Sequence, residues 1–464
     1  MEQKDLNKLS SIDASGARLN IIPADVQGFF RRHRNWSQAV LLIIFLGLPW
    51  IEHNGQQIVL LDIINRRFHL FGLTFQSHDA PLLFFLLAIA TLGLAFVTAV
   101  WGRVWCGWAC PQTVFIDAVY RRIEEWTEGS YIERRKLRTQ EFSLSKFRKT
   151  GSKWLLFTAV SSLFAHSFVA YFVGSKSLLA MMQKPPAENW TYFLLIAGFT
   201  LLLLFDFAWF REQFCVIMCP YGRIQSVLLE PSSMAIVYDT QRGEPRRQKT
   251  TITKKTGDCV SCNRCVEVCP TGIDIRNGLQ MECISCTACI DACDAIMTKV
   301  KKPPGLIRYQ TLDGSKINLF KFKTLSYAAL ITIATVGLIY TLLSREDVNI
   351  SVLRAIDTPY ELTTDINSQP TELNHFRLHL NNQLGQSSRY HVTLSSQSLA
   401  RGVSLTVAQN SVVIKPYGNW TWHLFVTAPR KLFEHSGTEQ ADLILTNDKG
   451  EIFTEKLALI GPKK

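Results

Sequence analysis

Twelve cysteines occur among 464 residues, and all fall into four short patterns. Two are runs of C-x2-C-x2-C-x3-C: Cys259, Cys262, Cys265 and Cys269, followed by Pro270, and Cys283, Cys286, Cys289 and Cys293, followed by Asp294. Two are C-x3-C-P: Cys106 and Cys110 before Pro111, and Cys215 and Cys219 before Pro220. The long runs have the spacing of bacterial two-cluster ferredoxins. Three thiolates two residues apart wrap three iron corners of a 4Fe-4S cubane from one tight loop, and the last cysteine of the other run reaches the fourth corner. One cluster is thereby assigned to Cys259, Cys262, Cys265 and Cys293, and the other to Cys283, Cys286, Cys289 and Cys269. Structural zinc pairs C-x2-C units and has no use for the third cysteine or the crossed fourth ligand. Asp294 stands where a proline usually follows the fourth cysteine, which alters the turn but not the ligand count.

The C-x3-C-P pairs form an internal repeat. Trp105 leads into the first and Phe214 into the second, each just past an apolar run, with Arg103 and Arg211 preceding them at nearly matching offsets. Cysteines at i and i+4 of a helix share one face and can hold one metal together. A proline after each second cysteine suits the first turn of a new helix, whose N-terminal dipole lowers a thiol pKa. A lone membrane cysteine reads as a small hydrophobe. Two matched pairs read instead as a metal or redox site, with Cu(I) favoured because soft thiolates select it. Met218 could add a thioether, although a methionine in an apolar stretch more often fills core.

These motifs need a membrane to position them, since 47% hydrophobic and only 19% charged residues are too apolar for an ordinary soluble chain. Apolar runs at 36–51, 81–101, 154–174, 190–210 and 325–343 predict five membrane helices. Trp36, Trp50, Trp101, Trp154, Trp190 and Trp209 lie near their ends, as interfacial belts require. The first run is short and contains Pro49, and the 35 polar residues before it do not read as a cleaved signal peptide. Segments 102–153 and 211–324 carry about 28 Lys and Arg against about four in loops 52–80 and 175–189. With the cluster Arg31, Arg32 and Arg34, that asymmetry puts the N-terminus and all the cysteines in the reducing cytoplasm and the C-terminus in the periplasm. Much of the net charge of +12 follows from the same asymmetry, and no nucleic-acid motif accompanies it. Within the spans, Asp206 is expected to pair with Arg211 or Arg103. His166 could contact metal or quinone, but a satisfied core histidine is the better reading.

Beyond 343, alternating runs at 376–380, 390–394, 403–407, 411–415, 420–426, 441–445 and 451–460 read as strands of an immunoglobulin-like sandwich without its intersheet disulfide. His375, His379, His391 and His423 are candidate metal ligands there, though a solvated sheet face explains them better. The expected fold is a polytopic α-helical membrane protein with a cytoplasmic two-cluster ferredoxin-like α+β domain and a C-terminal β-sandwich. Its parts are a cytoplasmic segment 1–35, four helices within 36–210 with a cytoplasmic loop 102–153, and a linker 211–257 bearing the second C-x3-C-P. The ferredoxin domain 258–300, a linker 301–324, a fifth helix 325–343 and a periplasmic domain 344–464 follow.

The order of these parts resembles the CcoG/FixG/RdxA accessory proteins of cbb-type cytochrome c oxidase. The likeness rests on Val104-Trp105-Cys106-Gly107-Trp108-Ala109-Cys110-Pro111-Gln112-Thr113 and on Arg211-Glu212-Gln213-Phe214-Cys215-Val216-Ile217-Met218-Cys219-Pro220-Tyr221. It extends to 238–245 and to 269–278, and Asp294 fits the same family's pattern. What the resemblance implies is a multi-pass protein of the bacterial inner membrane that reduces Cu(II) and supplies Cu(I) for oxidase assembly. It would work beside a copper-exporting P-type ATPase and oxidase assembly factors, with a cytoplasmic electron donor. Copper binding and reduction would then fall to Cys106, Cys110, Cys215 and Cys219, and electron relay to the eight ferredoxin cysteines. A homodimer is compatible with such a protein, but no residue specifies one. Two other readings stay open: a quinol-linked iron-sulfur electron-transfer subunit, and a redox-sensing assembly scaffold. Against the first, no second membrane histidine accompanies His166 and no C-x2-C-H occurs; against the second, four thiols would be idle.

Overall fold

The first apolar run folds as helix α1 (Phe29–Gly47), and its start belongs to the protein rather than to lipid. Two of its first N–H groups, from Phe30 and Arg31, donate to the Asp291 carboxylate at 3.2 and 2.7 Å. A carboxylate at a helix N-terminus satisfies orphan donors and complements the dipole. Gly28 makes room for it, since a Cβ there would lie 2.2 Å from Asp291 Cγ. Arg34 and Gln38 are buried on the same helix. The uncharged remainder, 36–47, covers about 18 Å at the helical rise, short of the roughly 30 Å hydrocarbon core. A 3₁₀ turn at Leu48–Trp50, around Pro49, then ends it.

Four other helices are long and apolar enough to cross a bilayer: α2 (Ala80–Trp101), α3 (Leu144–Val173), α4 (Pro186–Phe210) and α5 (Phe322–Leu343). Of the five expected spans, the first thus falls short among the described residues. The computed structural model describes residues 21–463 apart from 54, 76–78, 248–255, 318, 345–347, 357, 365–368 and 384–385. Helices α2, α4 and α5 bury little of their surface, as lipid-facing helices should, whereas α3 packs on α4 and on the amphipathic helix Arg121–Glu128. Between α1 and α2 the chain forms short strands that apolar patterning did not reveal, including a meander of Val59–Asp62, Arg67–Leu70 and Leu73–Phe75. Buried Gln57 ties this region to the end of α3, donating to Ala170 O at 3.2 Å and accepting from Ser175 N at 3.0 Å.

The ferredoxin-like part is framed by an antiparallel ribbon of Met234–Tyr238 with Ile307–Thr311, which closes the chain around the cysteine runs. Ile236, Ile273, Ile275, Ile290, Met297 and Leu306 form its core together with the cysteines.

Residues 341–464 form a second compact unit. Nine strands are described: β1 (Val348–Arg354), β2 (Glu361–Thr364), β3 (Pro370–Asn382), β4 (Ser388–Leu394), β5 (Ser404–Thr406), β6 (Ser411–Ile414), β7 (Asn419–Pro429), β8 (Thr438–Asn447) and β9 (Ile452–Ile460). One sheet runs β5-β7-β3-β1, with β2 also on β3, and the other β6-β4-β8-β9; every pairing is antiparallel. The seven expected runs all lie in strands, and β1 and β2 are added. Along β3 the alternation is strict: Phe376, Leu378 and Leu380 face the core, and His375, Arg377 and His379 do not. Buried Asn374 clasps the two sheets, accepting from Ile460 N at 2.9 Å and donating to Ile460 O at 3.0 Å. His375 meets His423 at 3.0 Å and His379 meets Thr421 at 2.8 Å on the outer face, while His391 is exposed. Leu424 is fully buried between the sheets. Leu424→Ala should cost this unit about 2–5 kcal/mol, to be read in the full-length protein as a lower urea midpoint for proteolysis within 341–464.

Candidate iron-sulfur and paired-cysteine site

The two ferredoxin runs follow one local path. Ser261 and Asn263 in the first have φ of 54° and 55°, and Ser285 and Thr287 in the second have 54° and 65°. These are the second and fourth residues after each leading cysteine. A left-handed residue other than glycine costs about 1–2 kcal/mol, so four at matched positions mark a maintained geometry rather than slack. Such alternation aims successive backbone N–H groups into a concavity, the anion-binding nest found at iron-sulfur sites.

Cavities follow the crossed assignment. One is lined by Cys259, Cys262, Cys265 and Cys293. Another is lined by Cys269, Cys283, Cys286 and Cys289, and Cys265 borders both. All twelve cysteines are free. Burial pushes the Cys265 thiol up to about 11 and those of Cys283 and Cys293 up to about 12, so binding as thiolates must release protons. The residues therefore fit two 4Fe-4S clusters, one beside exposed Cys262 and the other beside buried Cys283 and Cys286. Asp294 has its own reason: it lies inside helix Ala288–Lys299, where proline would interrupt the helix, and its carboxylate accepts from Gly305 N at 2.7 Å.

The C-x3-C-P repeat is geometric as well as sequential. Gly102 ends α2 at φ 61°, ψ −131°, and Arg211 ends α4 at φ 52°, ψ −125°. Each lies four residues before the first cysteine, so the structural equivalents are Gly102 and Arg211, not Arg103 and Arg211. Cys110 and Cys219 occupy N-caps in extended conformation, with Pro111 and Pro220 opening the helices that follow. At Cys110 the expected lowering of thiol pKa does not result, because burial outweighs the helix end. Cys106 is pushed up to about 12, Cys215 further, and Cys110 is raised despite backbone N–H donors at Gln112 and Thr113. The thiols form one electrostatic group: Cys215 feels Cys110, Cys106 and Cys219, and Cys106 feels Cys110 and Cys219. Cys106 Sγ donates to Oε1 of buried Gln225 at 3.4 Å.

This group is docked on the second cluster loop. A Cβ on Gly107 would lie 2.5 Å from Ser285 O and 2.7 Å from Ile284 O. Cys106 and Cys215 pack on the apolar shell that contains Cys286, Val268 and Ala288. Arg34 donates to Cys286 O at 3.0 Å, Arg103 to Cys283 O at 3.1 Å, and Tyr309 Oη to Ser285 O at 3.1 Å.

Several expectations change here. Asp206 pairs with neither arginine; its carboxylate accepts from Gln112 Nε2 at 3.1 Å. Arg211 is held instead by Glu124, and Arg121 by Asp117 and Glu212, in a buried network that sequence reasoning missed. His166 is satisfied by Ser162 O at 2.7 Å. Met218 is 62% exposed rather than core.

Removing Cys293 should abolish the EPR signal of the cluster served by the first run, and removing Cys269 that of the second, each as Cys→Ser. The uncrossed result would reverse the assignment. Burial opposes ionisation of Glu124, but Arg211, Arg134 and Lys153 outweigh it and hold its pKa below 4.5. Its stabilisation is thus complete above pH 4.5 and is lost as pH falls through the folded value. Glu124→Gln should destabilise the neutral protein by about 3–5 kcal/mol, and the gap between the two melting curves should close below pH 4.5.

Comparison with known proteins places these features together. A model described as a 4Fe-4S binding domain matches residues 82–138, a 4Fe-4S dicluster domain matches 210–312, and the IG-like fold at the C-terminus of FixG matches 338–462. Protein RdxA of Cereibacter sphaeroides is 35% identical over 89% of this chain and 90% of its own. Protein RdxB of the same organism is 34% identical over 82% of each chain. The nitrogen fixation protein FixG of Rhizobium meliloti is 35% identical over 65% of this chain and 59% of its own. With its two cluster cavities, paired-cysteine site and apolar helices, the chain belongs to the FixG/RdxA family of membrane iron-sulfur electron-transfer proteins.

Proposed function

We propose that this iron-sulfur protein is a cupric reductase, which binds Cu(II) at Cys106, Cys110, Cys215 and Cys219 and releases Cu(I) for assembly of a cbb-type oxidase. The observation that carries this reading is the backbone contact of Gly107 with Ile284 and Ser285, which sets the paired thiols directly on the second cluster loop. Clusters bound in the two cavities supply electrons one at a time, matching the single electron that Cu(II) takes. Soft thiolates then favour the Cu(I) product. Because burial holds Cys106 and Cys215 protonated, copper binding displaces protons and strengthens as pH rises.

On the positive-inside reading of the basic loops, both sites would lie on the cytoplasmic side, where a soluble donor would reduce the protein and a copper-exporting P-type ATPase would receive the product. The sandwich beyond 343 would then face the periplasm and dock oxidase assembly factors.

The test is anaerobic. The purified protein is reduced, Cu(II) is added, and cluster reoxidation and Cu(I) are followed beside a variant with all four paired cysteines changed to serine. Copper-dependent reoxidation should be fast in the native protein and at least about a hundredfold slower in the variant, a loss of about 2.7 kcal/mol. If both proteins ignore copper and reoxidise with a quinone analogue, the chain is a quinol-linked carrier instead.

A further inference from the structure

Arg103 lies between the two sites and differs from the arginines gathered around Asp117 and Glu124. It is 6% exposed, and its guanidinium donates to Met281 O, to Cys283 O at 3.1 Å and to Gly222 O at 3.4 Å. Met281 and Cys283 begin the second cluster loop, and Gly222 follows the second C-x3-C-P motif. Neighbouring Arg31, Arg34 and Arg121 share Asp117, and Arg134 and Arg211 share Glu124. Arg103 meets only carbonyls among the described residues, and its Nε has no partner. A buried guanidinium whose described hydrogen-bond partners are all neutral carbonyls is costly.

The first cavity is arranged differently. Both arginines that line it are paired with carboxylates, Arg276 with Asp274 at 2.7 Å and Arg264 with Glu267 at 3.1 Å, and its ligand Cys262 is exposed. Burial disfavours the extra negative charge of a reduced cluster, so the second cavity, with buried Cys283 and Cys286, would on its own hold the lower potential. An uncompensated cation beside Cys283 acts in the opposite sense, and strongly, because the medium around it is poorly screening.

We infer that Arg103 sets the reduction potential of the second cluster, raising it above that of the first so that reducing equivalents collect beside Cys106 and Gly107. The inference rests on the two-cluster assignment and not on the identity of the acceptor. Arg103 acts through the loop and the charge it carries there; it is a positioning residue that leaves the ligand set unchanged.

Potentiometric titration of the full-length protein in detergent, followed by EPR, tests this. The two signals are assigned on Cys293→Ser and Cys269→Ser backgrounds. Arg103→Gln should shift the electron partition between the clusters about tenfold toward the first, 59 mV for a one-electron couple, by lowering the second potential alone. Arg103→Lys, which keeps the charge, should retain the native order even if Arg103→Gln loses iron. A Gln variant with both clusters loaded and potentials unchanged would overturn the inference. So would a Lys variant with both clusters loaded and the order lost, or loss of iron from both variants, which would make the role structural.

Discussion

The whole arrangement depends on two backbones meeting where a side chain would keep them apart. Gly107 presents its Cα to the carbonyls of Ile284 and Ser285, in the loop that holds Cys283 and Cys286. The close approach has no covalent link to maintain it. It is held by hydrogen bonds to loop carbonyls from Arg34, Arg103 and Tyr309. Electron transfer between neighbouring redox groups demands proximity, and proximity here is a packing problem solved by a glycine.

Around that contact the protein accepts the cost of buried charge. Asp117 sits among three arginines and Glu124 between two, on the helices that follow the first motif. Apolar side chains of equal volume would stabilise such positions as well or better. What they could not do is fix orientation at a membrane edge, where α1, the amphipathic helix Arg121–Glu128 and the end of α4 would otherwise slide on featureless apolar faces. Asp291 makes the same point at the other side, for it caps α1 from the helix that carries Cys289 and Cys293. The first apolar run is therefore only partly a membrane element, and its arginines belong to the cluster domain.

Much of this was legible in the sequence because ligation imposes spacing. The cysteines of the two runs line two cavities, with Cys265 bordering both, and period-two alternation found seven of nine sandwich strands. The remainder depends on contacts between distant segments, which spacing does not encode. Nothing at Asp117, Glu124 or Asp291 announces a buried network, since each reads as an ordinary charge on a helix. The short strands between α1 and α2 are stabilised by Gln57 reaching the end of α3, not by their own pattern. The helix-end argument for an acidic thiol omitted burial, which proved the larger effect at Cys110.

The duplicated motifs show how one local geometry diverges under different surroundings. Gly102 and Arg211 share nearly the same dihedral angles, yet only the first must be glycine, because a Cβ there would lie 2.2 Å from Met234 O in the ribbon that frames the clusters. At the second position no ribbon intrudes, and the strain of a left-handed arginine is offset by its ion pair with Glu124. Inside the motifs the same contrast recurs. Gly107 is buried against the cluster loop, while Ile217 and Met218 are exposed. One half of the repeat has been shaped by the cluster it touches, and the other by the surface it leaves open.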